Sequence, residues 1–441
     1  MKRANLQYKN YLLAVLTVIL AFNFVDRIAL GLVLEDIKVD LSLTDTQLGL
    51  LSGIAFALFY SCLGIPIAYW ADRGNRVAII VLTTALWSAA VAVCGIATTF
   101  VQLMLIRIIV GIGEAGCVPP ANSLIAEFFT RTERPRAVSV YMQGMSGSVL
   151  IGYLLVGWLN EFYGWRMTFL MIGLPGLALT VVAGLTLREP RMSKTCVAPS
   201  PPPIPSLKEV FVTLYTIATF RHLLYGYSVL LFFSYGSLQW TPTFFVRAFG
   251  LNSAILGSWF AVAYGIGSIL GTYLGGEWAA RRAAQNECLQ LKVMAVAIAI
   301  SAIFSTFVYL PAMTPNYYSA FGWLGLCTIT GGVINGPMFA MIQTLAPAPM
   351  RAMAIALVFL CANLIGLGLG PWATGALSDA FRGWAGEDSL RFALLFLSPG
   401  IFWVSWHLWQ ASKTVTRDLK MGPQRAEDCA RFMGMEDQSN S

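Results

Sequence analysis

The chain has 441 residues, of which 57% are hydrophobic and only 12% are charged. This charge content is about half that of an average soluble domain, so the composition excludes an ordinary soluble protein. The net charge of +7 does not indicate a nucleic-acid partner, because the basic residues are scattered through short loops. The eight cysteines occur singly and without metal-ligand spacing, which predicts neither a disulfide framework nor a metal site. We therefore expect an all-α, multi-pass membrane protein.

Apolar runs bounded by glycine, proline and charged residues predict twelve spans, since a helix crosses a bilayer with about 20 residues. The spans of the first half are 12–34, 46–70, 76–98, 101–127, 137–160 and 166–187. Those of the second half are 221–246, 254–278, 290–311, 318–345, 350–377 and 390–411. The predicted domains are an N-terminal six-helix bundle (1–187), a cytoplasmic linker (188–220), a C-terminal six-helix bundle (221–411) and a cytoplasmic tail (412–441).

Lysine and arginine fall mainly on one side of this predicted topology. That side holds 22 of the 29, the other side holds 5, and Arg27 and Arg107 remain inside spans. Short cytoplasmic loops are enriched in these residues, so both termini are predicted to be cytoplasmic. The expected location is the cell inner (plasma) membrane.

The two halves repeat each other weakly. The sequence WADR at Trp70 aligns with WAAR at Trp278, and Gly116 aligns with Gly331 in a second register. Two pseudo-symmetric six-helix bundles are typical of secondary transporters, whose substrate site lies near the midplane between the halves. The repeat therefore predicts a transporter of this construction.

Four charged residues lie deep within predicted spans, away from the span ends, where each charge costs at least about 2.5–3.5 kcal/mol. Asp26 and Arg27 are in the first span, and Arg107 and Glu114 are in the fourth. Burial disfavours a charged carboxylate and a neighbouring arginine favours it, so an arginine that changes partner can load or release a proton. We interpret Asp26, Glu114 and Arg27 as proton-coupling residues, with the two acids competing for Arg27. The alternative is a permanently paired, neutral structural network.

The same level of the first and fourth spans provides candidates for substrate binding. Arg107 is the expected contact for an anionic head group, because a guanidinium can donate two parallel hydrogen bonds to a phosphate. The other polar candidates are Arg27, Asn23 and Glu114. Aromatic residues of the seventh span are candidates for a tail pocket, with ordinary core packing as the alternative. They are Tyr235, Phe232 and Trp240.

The loop between the second and third spans reads GIPIAYWADRGNR from Gly64 to Arg76. It resembles the signature of the major facilitator superfamily, in which a glycine is followed by Asp-Arg-x-Gly and further basic residues. An aspartate there can cap a helix start in the opposite half, where amide groups are unpaired and the helix dipole is positive. The loop therefore predicts a cytoplasmic gate, with topology signalling as the alternative. The gate residues are Gly64, Asp72, Arg73, Gly74, Arg76 and Arg136.

Within the superfamily, the chain resembles the spinster-like branch of sphingolipid and lysolipid transporters. The resemblance rests on NFVDR at 23–27, RIIVGIGEAGCVPPA at 107–121 and RAVSVYMQGMSGSVLIGYLLVGWL from residue 136. It implies an anionic lipid substrate, such as a lysophospholipid or sphingosine phosphate, and proton-linked alternating access. It also implies titrating or gating roles for Asp26, Arg27 and Glu114.

These observations predict a monomeric, proton-coupled transporter that exports an amphiphilic anionic lipid by rocker-switch alternating access. Its expected partners are this substrate, protons and the lipid bilayer, with no nucleic acid and no cofactor. We expect no enzyme activity, and the lack of a GxxxxGK[ST] loop indicates that gradients and not ATP drive transport. One alternative is proton-coupled uptake of a small organic anion, such as an aromatic acid or a sugar phosphate. The other is a membrane lipid receptor that does not cycle.

Overall fold

We describe the protein from a computed structural model, which covers residues 2–130, 133–190, 207–283, 286–347 and 350–421. Side chains are described in these ranges except at 2–6, 65, 68, 72, 135, 146, 207, 208 and 352. The described chain is helical and contains no strand. The helices of the first half are α1 (Lys2–Leu41), α2 (Asp45–Ser52), α3 (Ile54–Arg73), α4 (Arg76–Cys94), α5 (Phe100–Ala115), α6 (Val118–Phe128) and α7 (Arg134–Thr186).

A short helix within the predicted linker precedes the second half. From there on, the helices are α8 (Leu207–Tyr215), α9 (Ala218–Phe249), α10 (Ser253–Phe260), α11 (Gly267–Arg282), α12 (Glu287–Tyr309), α13 (Tyr317–Gly332), α14 (Asn335–Leu345), α15 (Arg351–Ala362), α16 (Gly370–Ala385), α17 (Ser389–Leu397) and α18 (Ile401–Lys420). Helix α18 continues past the predicted end at 411, because Asp418 accepts hydrogen bonds from the backbone N–H and hydroxyl of Thr219 at the start of α9. Most of the predicted tail lies outside the described residues.

Nine apolar helical segments of the described chain have the length and hydropathy to cross a membrane. Two of them have length for two crossings each, since 136–186 holds 51 residues and 353–420 holds 68. Helix α9 holds 32 residues, which is long enough for one further crossing. The segments are thus consistent with twelve crossings.

Helix α7 turns back on itself at Gly164, between the fifth and sixth predicted spans. This residue has φ 72° and ψ 168°, a conformation that glycine adopts without steric cost. The next two side chains hold the turn in place. Trp165 donates to Asp40 over 3.1 Å, and Arg166 donates to the same carboxylate and to the Ala97 carbonyl.

Several spans are interrupted near their midpoints. The fourth span breaks between α5 and α6, just before Pro119 and Pro120, and the tenth breaks between α13 and α14, before Pro337. Proline lacks the N–H of a regular helical bond, so these breaks follow from the sequence. Two π-helical segments, Ala261–Ile266 and Asn363–Leu369, had no such signal. Both lie beside the interface between the halves.

The halves meet at the ends of the spans that are predicted to face outward. Gly157 of α7 lies against Gly257 and the Ser253 carbonyl, and a Cβ at Gly157 would be only 2.5 Å from that oxygen. Gly49 of α2 lies equally close to the Pro371 carbonyl of α16. Small residues allow such close backbone approach. The two bundles are therefore closed against each other on the predicted outer side.

Candidate substrate and ion-coupling site

Asp26 and Arg27 reach different partners on α5, because neighbouring side chains leave a helix about 100° apart. Asp26 Oδ2 accepts a hydrogen bond of 2.7 Å from Arg107 Nη1. Arg27 Nε donates to Glu114 Oε2 over 2.8 Å, and its Nη2 lies 2.7 Å from the same oxygen. The four predicted charges are together, but as two separate ion pairs. Of the two acids, Glu114 pairs with Arg27 and Asp26 pairs with Arg107.

The two pairs differ in their access to solvent. The side chains of Asp26, Arg107 and Glu114 are at most 2% exposed, whereas that of Arg27 is 15% exposed. Buried charges are tolerated when each has a partner, as here. Glu114 Oε1 and Asp26 Oδ1 have no hydrogen-bond partner among the described residues. Each acid thus has one carboxylate oxygen that no described hydrogen bond engages.

A cavity of about 520 Å³ lies between the halves, which is within the range of small-molecule sites. Arg27 and Arg107 supply its charge. Its uncharged polar residues include Gln143, Gln239, Ser268 and Thr272. Apolar side chains form much of the remaining wall, among them Ile28, Met145, Val149, Leu238, Ile269 and Leu367. The cavity can therefore take a molecule with one anionic end and an apolar body.

The cavity extends toward the predicted cytoplasmic side. Thr272 and Tyr273, in the second half of the predicted span 254–278, belong to its wall, and Tyr273 is exposed. The opposite ends of the helices are closed by the contacts of Gly157 and Gly49. The arrangement is therefore inward-open in the predicted topology.

The predicted substrate residues do not all reach this cavity. Tyr235 lies in its wall. Trp240 does not, because its indole is fully buried and donates to the Pro371 carbonyl over 2.8 Å. Phe232 packs edge-on against Phe233 and is also outside the wall. The prediction that Phe232 and Trp240 line the cavity is thus corrected. Asn23 and Glu114 are buried outside the wall, and Glu114 lies behind Arg27, with which it pairs.

The expected cytoplasmic gate makes no described contact between the halves. Arg76 is fully buried and donates to Glu189 Oε2 and to the Ser123 carbonyl, both in its own half. Arg73 stacks on Tyr69, with its Cζ 3.9 Å from the ring centroid. Gly74 ends α3, Gly64 has open space around it and Arg136 is exposed. The Asp72 side chain lies outside the described residues.

A latch between the halves is present on the opposite, outer side. Its residues, the outer latch, are Lys38, Asp45, Arg247, Ser378 and Asp379. Buried Asp45 accepts hydrogen bonds from Lys38 of its own half and from Arg247 and Ser378 of the other half, over 2.6–2.9 Å. Asp379 accepts hydrogen bonds from the backbone N–H groups of Asp45 and Thr46 at the start of α2. Capping across the halves thus occurs here, by Asp379.

The sequence analysis does not predict the outer latch, since Arg247 is there only one of the five basic residues on the outer side. One local signal was available. Thr44 and Gln47 form a capping box, which marks a helix start at Asp45. An acidic residue such as Asp45 is expected at the start of a helix, but nothing in the neighbouring sequence indicates its partners in the other half. The cavity residues Gln143 and Gln239 were also missed, and no periodicity distinguishes them.

Comparison with known proteins gives consistent matches. A sequence model of the Major Facilitator Superfamily matches residues 16–371. An MFS-type efflux pump of Mycolicibacterium smegmatis is 28% identical over 411 residues, which cover 92% of this chain and 93% of the relative. The D-galactonate transporter of Escherichia coli O6:H1 is 28% identical over 189 residues, or 43% of each chain.

A solved structure is similar over nearly the whole chain. It is the crystal structure of a bacterial homolog of the human lysosomal transporter Spinster, in an inward-facing and unoccupied conformation. The TM-score is 0.82 at 28% identity, and the match covers 93% of this chain and 98% of that chain.

Proposed function

Because the chain belongs to the Major Facilitator Superfamily, within its spinster-like branch, we propose that this transporter carries an amphiphilic organic anion in a proton-coupled cycle. The observation that carries the proposal is the Arg27–Glu114 ion pair, in which the arginine faces the cavity and the carboxylate lies behind it. A lysophospholipid or a sphingosine phosphate combines one anionic head with one apolar tail. Such a molecule matches the charged and apolar parts of the cavity wall.

Coupling follows from competition for the Arg27 donors. Nε donates to Glu114 Oε2 and Nη2 lies 2.7 Å from the same oxygen, so the carboxylate occupies this edge of the guanidinium while the pair is intact. A proton on Glu114 removes its charge, and with it the Coulombic attraction between the carboxylate and the guanidinium. Proton uptake by Glu114 therefore favours anion binding at Arg27. Asp26 is the second acid of the proposed coupling network, with Arg107 as its cation.

The sign of this competition has a consequence for transport. A proton and the anion occupy the site together, so they move in the same direction. Similarity to an efflux pump supports export, which then draws on an outward gradient of the substrate. We propose that this occurs in the inner membrane, by a monomer whose outer latch opens while the loop from Gly64 to Arg76 closes the cytoplasmic side.

The proposal is tested by lipid flux in proteoliposomes under an imposed pH gradient. Flux of a labelled lysophospholipid by the wild type should depend on the gradient, because Glu114 must be protonated to release Arg27. Glu114→Gln should transport without this dependence. Glu387→Gln is a matched control, since Glu387 is exposed and lies outside the cavity wall. Undiminished gradient dependence in Glu114→Gln would overturn the coupling role of Glu114.

A second candidate is proton-coupled uptake of a small organic anion. Similarity to a D-galactonate transporter favours it, and the same proton–anion coupling would drive uptake from an acidic exterior. The large apolar part of the wall favours the lipid. Thermal-shift measurements with a lysophospholipid and with D-galactonate separate the two candidates, since only the true substrate class should raise the melting temperature in a manner that requires Arg27.

A further inference from the structure

Three aromatic rings surround the Arg27 guanidinium. Its Cζ lies 4.6 Å from the ring centroid of Phe24, 4.8 Å from that of Phe56 and 4.6 Å from that of Tyr60. All three distances are within the roughly 6 Å over which a cation is attracted to a ring face. We refer to Phe24, Phe56 and Tyr60 as the aromatic cage.

Helical spacing explains how the cage forms. Phe24 precedes Arg27 by three residues on α1, which places both on one face of the helix. Phe56 and Tyr60 are four residues apart on α3, and their rings stack at 5.4 Å with an interplanar angle of 18°. Gly111 of α5 allows α3 to approach, since a Cβ there would lie 2.8 Å from the Phe56 carbonyl. All these helices belong to the same half, so the cage travels with Arg27.

The cage solves a problem that protonation of Glu114 creates. Arg27 then keeps its charge in a site that is 15% exposed, but loses its paired carboxylate. A released arginine side chain has considerable rotamer freedom and would not hold one position. Ring faces attract the guanidinium, do not titrate, and leave the donors that faced Glu114 available to another acceptor. The anion site therefore stays assembled in both protonation states.

We propose that Phe24, Phe56 and Tyr60 are positioning residues of the anion site, which hold Arg27 at the cavity wall after Glu114 has released it. This inference rests on the proposed proton–anion coupling. In this scheme the Arg27 side chain stays in place while its partner changes. The substrate anion then accepts hydrogen bonds from the donors that Glu114 has released. Asp26 does not need to capture Arg27, because it already holds Arg107.

The three rings are not equally suited to a test. Phe56 also lies 5.4 Å from the Cζ of Arg107, so its loss would change both arginines. Phe24 and Phe56 belong to the cavity wall and can touch the substrate directly. Tyr60 does not line the cavity, and Arg27 is the cation recorded over its ring. Tyr60 is therefore the informative position.

The experiment measures binding of a fluorescent lysophosphatidate to the purified full chain at an acidic and an alkaline pH. Tyr60→Leu removes the ring, and Tyr60→Phe keeps it. We expect Tyr60→Leu to weaken binding by roughly 3- to 30-fold at acidic pH, the range for losing one desolvated cation–π contact. At alkaline pH the effect should be small, since Glu114 then holds Arg27. Tyr60→Phe should bind as the wild type does at both.

A Glu114→Gln background separates this inference from the proposed function. In that background the carboxylate is absent at every pH, so Tyr60→Leu should weaken binding at both. Phe339→Leu is a matched control in the other half, because Phe339 stacks on Phe359 away from any recorded cation. Melting temperatures show whether each variant is folded.

The outcomes distinguish the two hypotheses. Unchanged lipid affinity in Tyr60→Leu and in Tyr60→Leu/Glu114→Gln, with wild-type affinity still dependent on pH through Glu114, would overturn the cage alone. Wild-type affinity that does not change with pH would overturn the proton–anion coupling, and the cage with it. Equal weakening by Tyr60→Phe and Tyr60→Leu would assign the effect to the hydroxyl and would also overturn the cage.

Discussion

The outer latch gives a prediction about the conformational equilibrium of the transporter. Asp45→Asn replaces a buried carboxylate that joins the two halves with a neutral amide of the same shape. One of its two oxygens becomes an N–H donor, which faces the donors of Arg247 or Lys38. We expect the outer side to open more readily and the population to shift from inward-open toward outward-open.

The size of the shift follows from the bonds that are lost. Asp45 accepts three hydrogen bonds from charged groups, two from Arg247 and one from Lys38. A bond to a charged group contributes about 1.5–3 kcal/mol. Arg247 keeps a second partner, Glu35, at 2.7 Å, so we count the loss as roughly one such bond. A loss of about 1.5–3 kcal/mol changes the inward-to-outward ratio by about 10- to 150-fold.

Double electron–electron resonance, which measures distances between spin labels, can detect this change. Val39 and Trp384 are exposed near the outer ends of the two halves, and Tyr69 and Tyr273 are exposed near the other ends. Labelled pairs in a variant without native cysteines should report a longer outer distance and a shorter cytoplasmic distance in Asp45→Asn. Opposite changes at the two ends distinguish rocking from unfolding, which would broaden both distributions.

The control lies on the same outer surface. Asp388→Asn removes a carboxylate that pairs with Arg391 of its own half at 3.7 Å, and it should leave both distances unchanged. The latch interpretation is refuted if Asp45→Asn leaves the Val39–Trp384 distance as in the wild type. It is also refuted if Asp388→Asn causes the same shift, since surface charge would then explain both.

Two further predictions concern the buried pair and the close contact of the halves. Arg107→Met leaves the Asp26 carboxylate buried without its cation and should lower the free energy of unfolding by about 3–5 kcal/mol. The double variant Asp26→Leu/Arg107→Met should recover most of this loss. Chemical unfolding measures both variants, and equal losses of stability in the single and the double variant would contradict the pairing. Gly157→Val places a side chain 2.5 Å or less from the Ser253 carbonyl of the other half and should hold the outer side open in the resonance experiment. Gly147→Val, on the same helix with no neighbour within 4 Å of its Cβ, should not.

The depth of the buried charges along the spans could be predicted from the sequence, because depth follows from the position of a residue within its helix. Positions on two antiparallel spans fix the depth of Asp26, Arg27, Arg107 and Glu114 to within a helical turn. Which acid meets which base depends on the rotation of each helix about its axis. Adjacent residues on α1 point about 100° apart, so they separate onto two partners, and this excludes direct competition for Arg27 in the structure described.

The outer latch could not be predicted in the same way. Asp45 and Arg247 are 202 residues apart, and they meet in a conformation where the outer ends are closed. The sequence specifies each half through its own packing, but the contact between halves depends on the state of the cycle. The prediction for the cytoplasmic gate concerned the opposite state. In the conformation described here, Arg76 donates to Glu189 of its own half.

The asymmetry between the halves bears on how the transporter moves. Both buried ion pairs of the site join α1 to α5, so the amino-terminal half carries the charges as one rigid unit. The carboxyl-terminal half instead carries the π-helical segments Ala261–Ile266 and Asn363–Leu369, which mark positions of irregular backbone bonding in a span. Tyr264, Gly265 and Leu367 of these segments form part of the cavity wall. Bending there would reshape the cavity around a substrate while Arg27 keeps its position, because the π-helical segments and the charges of the wall lie in different halves.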